Sequence, residues 1–148
     1  MSVTRDIFSE LKVTQLLTPA VRNADVNSAS VDTRDHDSLM LVAHVGDSAD
    51  VLSGSVFLEL ELEESDDDSV FNDVADADKI GGVTGATNPG TFAVIDAPAE
   101  DTRDFIVGYR GSKRYVRVVA NFTGTHTTGI PIGVSAVQGH PHRSPVNT

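Results

Sequence analysis

The run Val56–Glu63 constrains the fold of this chain more than any other stretch. Val56, Leu58, Leu60 and Leu62 alternate with Phe57, Glu59, Glu61 and Glu63. A period of two puts the aliphatic set on one side of an extended backbone and the acidic set on the other. A helix would scatter both sets around its axis, so the run predicts a half-buried β-strand with its glutamates in solvent. Tyr115–Phe122 repeats the pattern, with Val116, Val118, Ala120 and Phe122 on one side and Tyr115, Arg117, Val119 and Asn121 on the other. Ser38–Val45 is apolar on both sides: Leu39, Leu41, Ala43 and Val45 alternate with Met40, Val42 and His44. That composition predicts a central strand.

Further short runs complete the set. Thr91–Asp96, Asp104–Tyr109 and Ile130–Val137 read as strands, and Ser28–Asp32 and Val70–Val74 as shorter ones. Arg110-Gly111-Ser112 predicts a hairpin turn joining Asp104–Tyr109 to Lys113–Thr123. The connection Ala75–Gly90 is long, polar and glycine-rich, which marks a functional or mobile loop. The expected fold is all-β: a single antiparallel β-sandwich, jelly-roll-like, over 28–138. A length of 148 residues suits one such domain. An N-terminal arm or short helix is expected over 1–27, and an extended C-terminal tail over 139–148. In the arm, Ile7, Phe8 and Leu11 fall near helical spacing and Asp6 is placed to cap a turn. Val13 and Thr14 favour extended backbone instead, and Pro19 is expected to end whatever precedes it.

Composition narrows function. Lys plus Arg is 11 against Asp plus Glu at 22, a net charge of −11. Phosphate backbones and anionic membranes select clustered cations, so neither nucleic acid nor a membrane is an expected partner. With no cysteine, disulfides, thiolate metal sites and thiol nucleophiles are excluded. No run approaches the roughly 20 apolar residues of a membrane span, and Met1–Glu10 has no apolar core of a secretory signal. A protein made in the cytoplasm is expected.

Candidate chemistry is thin. No G-x-S-x-G, Walker-type or dinucleotide-binding glycine pattern occurs, and no catalytic set stands out among the abundant Asp and Ser. The expectation is a non-enzyme without a cofactor. His140-Pro141-His142 offers two imidazoles to a metal on an extended tail, though solvated histidines are the plainer reading. Asp66-Asp67-Asp68, near Glu63, Glu64 and Asp73, could attract Ca²⁺, but the loop lacks the central Gly and closing Glu of an EF-hand. A plain hairpin turn fits it better. Arg110, Lys113, Arg114 and Arg117 form a basic cluster. They either pair with acidic strands of the same domain or dock an acidic neighbour. With no Trp and 5% aromatic residues, the chain is poorly supplied for stacking on sugars.

Several stretches together resemble a family of small structural proteins of tailed phages and phage-like particles. The most specific is Ile106–Val119, IVGYRGSKRYVRVV, followed by Gly133–His142, GVSAVQGHPH. RDIFSELKV from Arg5, SASVDTRDHDSLMLVAHVG from Ser28 and ESDDDSVFNDVADADKIGG from Glu64 are similar in order and spacing. The resemblance implies a decoration, or cement, protein on the exterior of a virion capsid. Its partner would be the major capsid protein, and it would form a homo-oligomer, most often a trimer. Other virion roles (head–tail connector, tail or baseplate) and a glycan- or host-surface-binding sandwich are the alternatives. The partner-binding candidates are Arg5, Ile7, Phe8 and Leu11 of the arm, Arg110 and Arg114 of the basic cluster, and His140, Pro141 and His142 of the tail.

Overall fold

The computed structural model describes residues 5–147. The chain is all-β, with two antiparallel sheets packed face to face. Its strands are β1 (Lys12–Arg22), β2 (Val26–Asn27), β3 (Val31–Asp32), β4 (His36–Val45), β5 (Phe57–Ser65) and β6 (Asn72–Asp73). They continue as β7 (Lys79–Ile80), β8 (Thr91–Ile95), β9 (Arg103–Tyr109), β10 (Tyr115–Thr123) and β11 (Ile130–Pro141). One sheet runs β1-β11-β4-β9-β7. The other runs β2-β10-β5-β6, with β3 also on β10 and β8 also on β5. With β2 and β3 taken as one interrupted strand and β6 and β7 as edge pieces, the long strands interleave between sheets in jelly-roll order. Among the described residues, no helix is long and apolar enough to cross a membrane.

The core lies where the alternation places it. Leu58, Leu60 and Leu62 of β5 are fully buried, as are Leu41 and Ala43 of β4 and Val116 of β10. Val107, Ile130, Val134 and Ala136 close the layer from the other sheet. Fully burying an aliphatic side chain contributes about 1.5–3 kcal/mol, so this interdigitated layer supplies most of the driving force.

Three expectations change. The first concerns the arm. Lys12–Arg22 is not detached but is an edge strand, paired with β11 from Lys12↔Gln138 to Arg22↔Ile130. Leu16 and Leu17 are buried beneath it. Pro19 does not stop the strand, because an edge strand needs no donor on its outer side and the register shifts around it, between Leu17 and Ala20. Residues 1–4 of the expected arm lie outside the described residues. Among the described residues ahead of β1 there is no helix; Asp6 accepts from the Ser9 amide at 3.0 Å, and Leu11 N–H bonds Ile7 C=O at 3.1 Å, closing a single turn.

The second concerns the tail. Gly139, His140 and Pro141 complete β11, opposite Ser38 and His36. The described remainder, as far as Asn147, folds back onto the N-terminal turn. Val146 N–H bonds Ser9 C=O at 3.0 Å, and the Asn147 amide donates to Phe8 and Leu11 carbonyls at 2.6 and 2.7 Å.

The third concerns the hairpin. β9 and β10 do not pair; β9 bonds β4 in one sheet and β10 bonds β5 in the other. Arg110–Arg114 is therefore a crossover between sheets. A Cβ at Gly111 would sit 2.5 Å from the Tyr109 hydroxyl, so only glycine lets the chain pass over that ring. The same hydroxyl donates to Glu64 at 2.6 Å and accepts from the Lys113 amide at 3.0 Å, locking the crossing.

Candidate functional site

The two sheets present opposite chemistries to their surroundings. On the outer face of β1-β11-β4-β9-β7, register aligns Val13 with Val137, Val137 with Met40, Met40 with Gly108, and Gly108 with Ile80. Side chains of directly opposed residues share a face, so these form one apolar row across the sheet. The next row carries Ser135, Val42 and Ile106. Val13 is 65% exposed, Ile80 54% and Ile106 52%, while Met40, Val42 and Val137 are half-buried. Leu11 extends the surface: it lines one depression with Met40 and Val137, and a second, of about 340 Å³, with Ile7, Phe8 and Val13. Ile7 and Phe8 are themselves 69% and 65% exposed. A contiguous apolar surface of this kind is uncommon on a monomer and marks an interaction site.

The candidates named from sequence divide accordingly. Ile7, Phe8 and Leu11 join this surface, and Arg5 is exposed in the turn beside them. Pro141 ends β11 opposite His36, at the same end of the sheet as Leu11. His140 Nδ1 meets Ser38 Oγ at 2.8 Å, and His142 Nε2 meets Asp37 Oδ1 at 2.7 Å. The two imidazoles thus go to different partners.

The basic cluster turns inward on its own domain. Arg114 grips Asp32 with a fork of 3.0 and 2.8 Å, which holds that carboxyl down to about 2. Lys113 pairs with Asp66 at 2.6 Å, and Arg110 donates to Ala77 C=O at 2.8 Å. Arg117 bonds Glu63 at 2.6 Å and lies over the Phe71 ring at 3.9 Å. The Asp-rich turn is likewise committed: Asp67 Oδ1 accepts the Ser69 and Val70 amides, each at 3.0 Å.

Opposite the apolar face, β5 and β10 display Glu59, Glu61, Glu63, Arg117 and Asn121. Here the expected solvated glutamate row is broken. Glu61 is 6% exposed, because the Ala75–Gly90 connection returns across it. Lys79 pins that connection: its buried ammonium pairs with Asp76 at 2.7 Å and donates to the Thr91 and Val83 carbonyls at 2.6 and 3.1 Å. Asn88 then reaches Glu61 at 3.4 Å, and Asn121 bonds the same carboxylate oxygen from β10. Burial, with Asp73 alongside, pushes the Glu61 carboxyl up to about 7. Oxygens of Glu61, Glu63 and Asp73 lie within 4.8 Å of one another. Sequence pointed at Glu63 and Asp73 but not at Glu61, whose alternation made it look solvated; the covering loop gave no local signal.

No protein-family model and no curated protein matches the sequence. Among solved structures, the chain is similar to a chain in the structure of infectious bursal disease virus, Gt strain, at 17% identity and a TM-score of 0.26. The similarity covers 97% of this chain and 40% of that one.

Proposed function

We propose that this protein is a decoration protein of a tailed-phage capsid, binding the outer surface of the shell and stabilising it. The observation behind a binding role is the apolar row Val13–Val137–Met40–Gly108–Ile80 with its extension through Leu11, Phe8 and Ile7. The capsid as partner rests on the sequence resemblance over most of the chain. The apolar face lies against the major capsid protein, and the carboxylate-rich face points outward. A net charge of −11 keeps neighbouring copies and polyanions from binding indiscriminately. Ligands that bind an assembled state and not its free parts stabilise the assembly by mass action, and many copies on one lattice multiply the effect. A homo-oligomer, with a trimer favoured, fits such a lattice.

Electron microscopy of particles with this protein present and removed tests the reading. Density on the shell exterior at hundreds of copies is expected, with shells less heat-stable when it is lost. A protein recovered only in soluble lysate would sink the proposal, and a few copies at one vertex would make it a connector.

A further inference from the structure

We propose that Glu61, Glu63 and Asp73 hold a hard divalent cation, of calcium chemistry, between β5, β6 and the Ala75–Gly90 connection.

Geometry comes first. The three carboxylates come from adjacent strands, with Glu63 directly opposite Asp73 and Glu61 two residues along the same face of β5. Their oxygens fall within 4.8 Å of one another, close enough to converge on one ion at the 2.3–2.6 Å typical of calcium. Charge comes second. Three carboxylates face one guanidinium, Arg117, which uses Oε2 of Glu63. Two formal negative charges are left over, and a divalent cation cancels them. Glu61 is buried, Glu63 half-buried and Asp73 exposed, and like charges crowded this closely around a buried carboxylate are relieved by a proton or a cation between them.

An independent observation comes from outside the acidic set. Thr91 is fully buried and its hydroxyl has no hydrogen-bond partner. Thr91 stands directly opposite Glu61 in the β5–β8 register, so its side chain projects on the face that carries the Glu61 carboxylate. Buried hydroxyls are almost always satisfied, so an orphan hydroxyl on the face of a carboxylate cluster is a free neutral oxygen donor there. The neighbouring amides add neutral oxygens, since Asn88 and Asn121 can each present O in place of N by a flip. Calcium takes 6–8 such oxygens, many of them neutral, whereas magnesium demands a tighter octahedron and keeps its water. Gly90 leaves room for the arrangement: a Cβ there would sit 3.1 Å from Glu61 Cγ and 3.4 Å from Asp73 Cβ.

The test uses the purified full chain at pH 8, stripped with chelator and titrated with calcium chloride. Calorimetry and thermal melting read the result, with magnesium chloride in parallel. Calcium at ten times its dissociation constant is expected to raise the melting temperature by roughly 4 °C, with a weaker effect of magnesium. Asp73→Asn, at an exposed strand end, is expected to fold and to lose the calcium response at least tenfold. Asp67→Asn, in the Asp-rich turn, is expected to keep it. Absence of any calcium shift, with stability responding to pH alone, would assign the cluster to a shared proton and overturn the proposal. So would a calcium response that survives Asp73→Asn, or one abolished by Asp67→Asn.

Discussion

Across one sheet the outward residues include Val13, Val137, Met40, Val42, Ile106 and Ile80, with Gln15, Ser135 and the His44–Asp104 pair beside them; across the other they include Glu59, Glu61, Glu63, Arg117 and Asn121, with Val119 and Val94 among them. Both faces are built on the same pleated geometry, over the same layer of buried aliphatic residues. Water tolerates the second face and disfavours the first at about 25 cal/mol per Å² of apolar area. Nothing in the fold requires outward aliphatic residues on β4 and β11, since Leu39, Leu41, Val134 and Ala136 already supply the core. The asymmetry is the basis of the proposed docking role: one face carries most of the exposed aliphatic residues, the other most of the clustered carboxylates.

The largest expected effect comes from erasing the difference. Met40→Glu with Ile106→Glu places charges in the middle of the apolar rows while the inner face stays intact. Shell binding is expected to fall more than about 100-fold, or about 2.7 kcal/mol, with circular dichroism unchanged. Sedimentation of shells with the variant reads this directly, and undiminished binding would remove the apolar face from the interface. Next is Arg117→Ala on the charged face. It leaves Glu63 unpaired in a shielded site and uncovers the Phe71 ring, at a cost of about 2 kcal/mol of unfolding free energy in urea. A loss below 0.5 kcal/mol would mean that water screens the pair fully.

A smaller effect follows from pH. Glu61 is held at about 7 in the fold against an ordinary 4.5, so between these values the folded state keeps a proton that the unfolded chain has released. Stability contributed by this group is present below pH 4.5, declines as pH rises through that window, and levels off above 7. Without calcium, a drop of a few degrees in melting temperature between pH 5 and 7.5 is expected, and Glu61→Gln is expected to flatten it. Asp32 works the other way and elsewhere: held at about 2, it stabilises above pH 3.8 and loses that contribution on further acidification. The smallest effects belong to Arg110→Ala and His142→Ala. Both residues are exposed and bonded at the surface, so urea unfolding is expected to shift by no more than about 0.5 kcal/mol.

The contrast also explains how much could be read from sequence. Alternation located β4, β5 and β10 and sorted their residues by side, which was enough for the sandwich. It did not say which side another segment covers. Ser38–Val45, apolar on both sides, was expected to be central, and β4 is central; which of its sides faces the other sheet came only from the fold, which leaves Met40 and Val42 half-buried on the outer side. Glu61 was expected in water, yet a loop ending 29 residues later buries it. The missed pairing of β9 and β10 has the same origin. A short turn ordinarily makes a hairpin, but here Gly111 and the Tyr109 hydroxyl carry the chain to the other sheet. Each miss is a long-range packing event with no local pattern. On the apolar surface, Ile7, Phe8 and Leu11 were nominated from sequence as contacts of an N-terminal arm, whereas Val13, Val137 and Ile106 became part of it only through strand register.

The most direct test of a sided molecule is one substitution made on each side. Val42→Glu alters the apolar face and Val94→Glu alters the face that carries Glu59, both at half-buried outward positions of paired strands. Each protein is mixed with purified shells lacking it, and co-sedimentation is measured across a concentration series. Loss of binding by Val42→Glu, with wild-type binding by Val94→Glu, is the predicted result. Equal binding by the two, or loss confined to Val94→Glu, would contradict it.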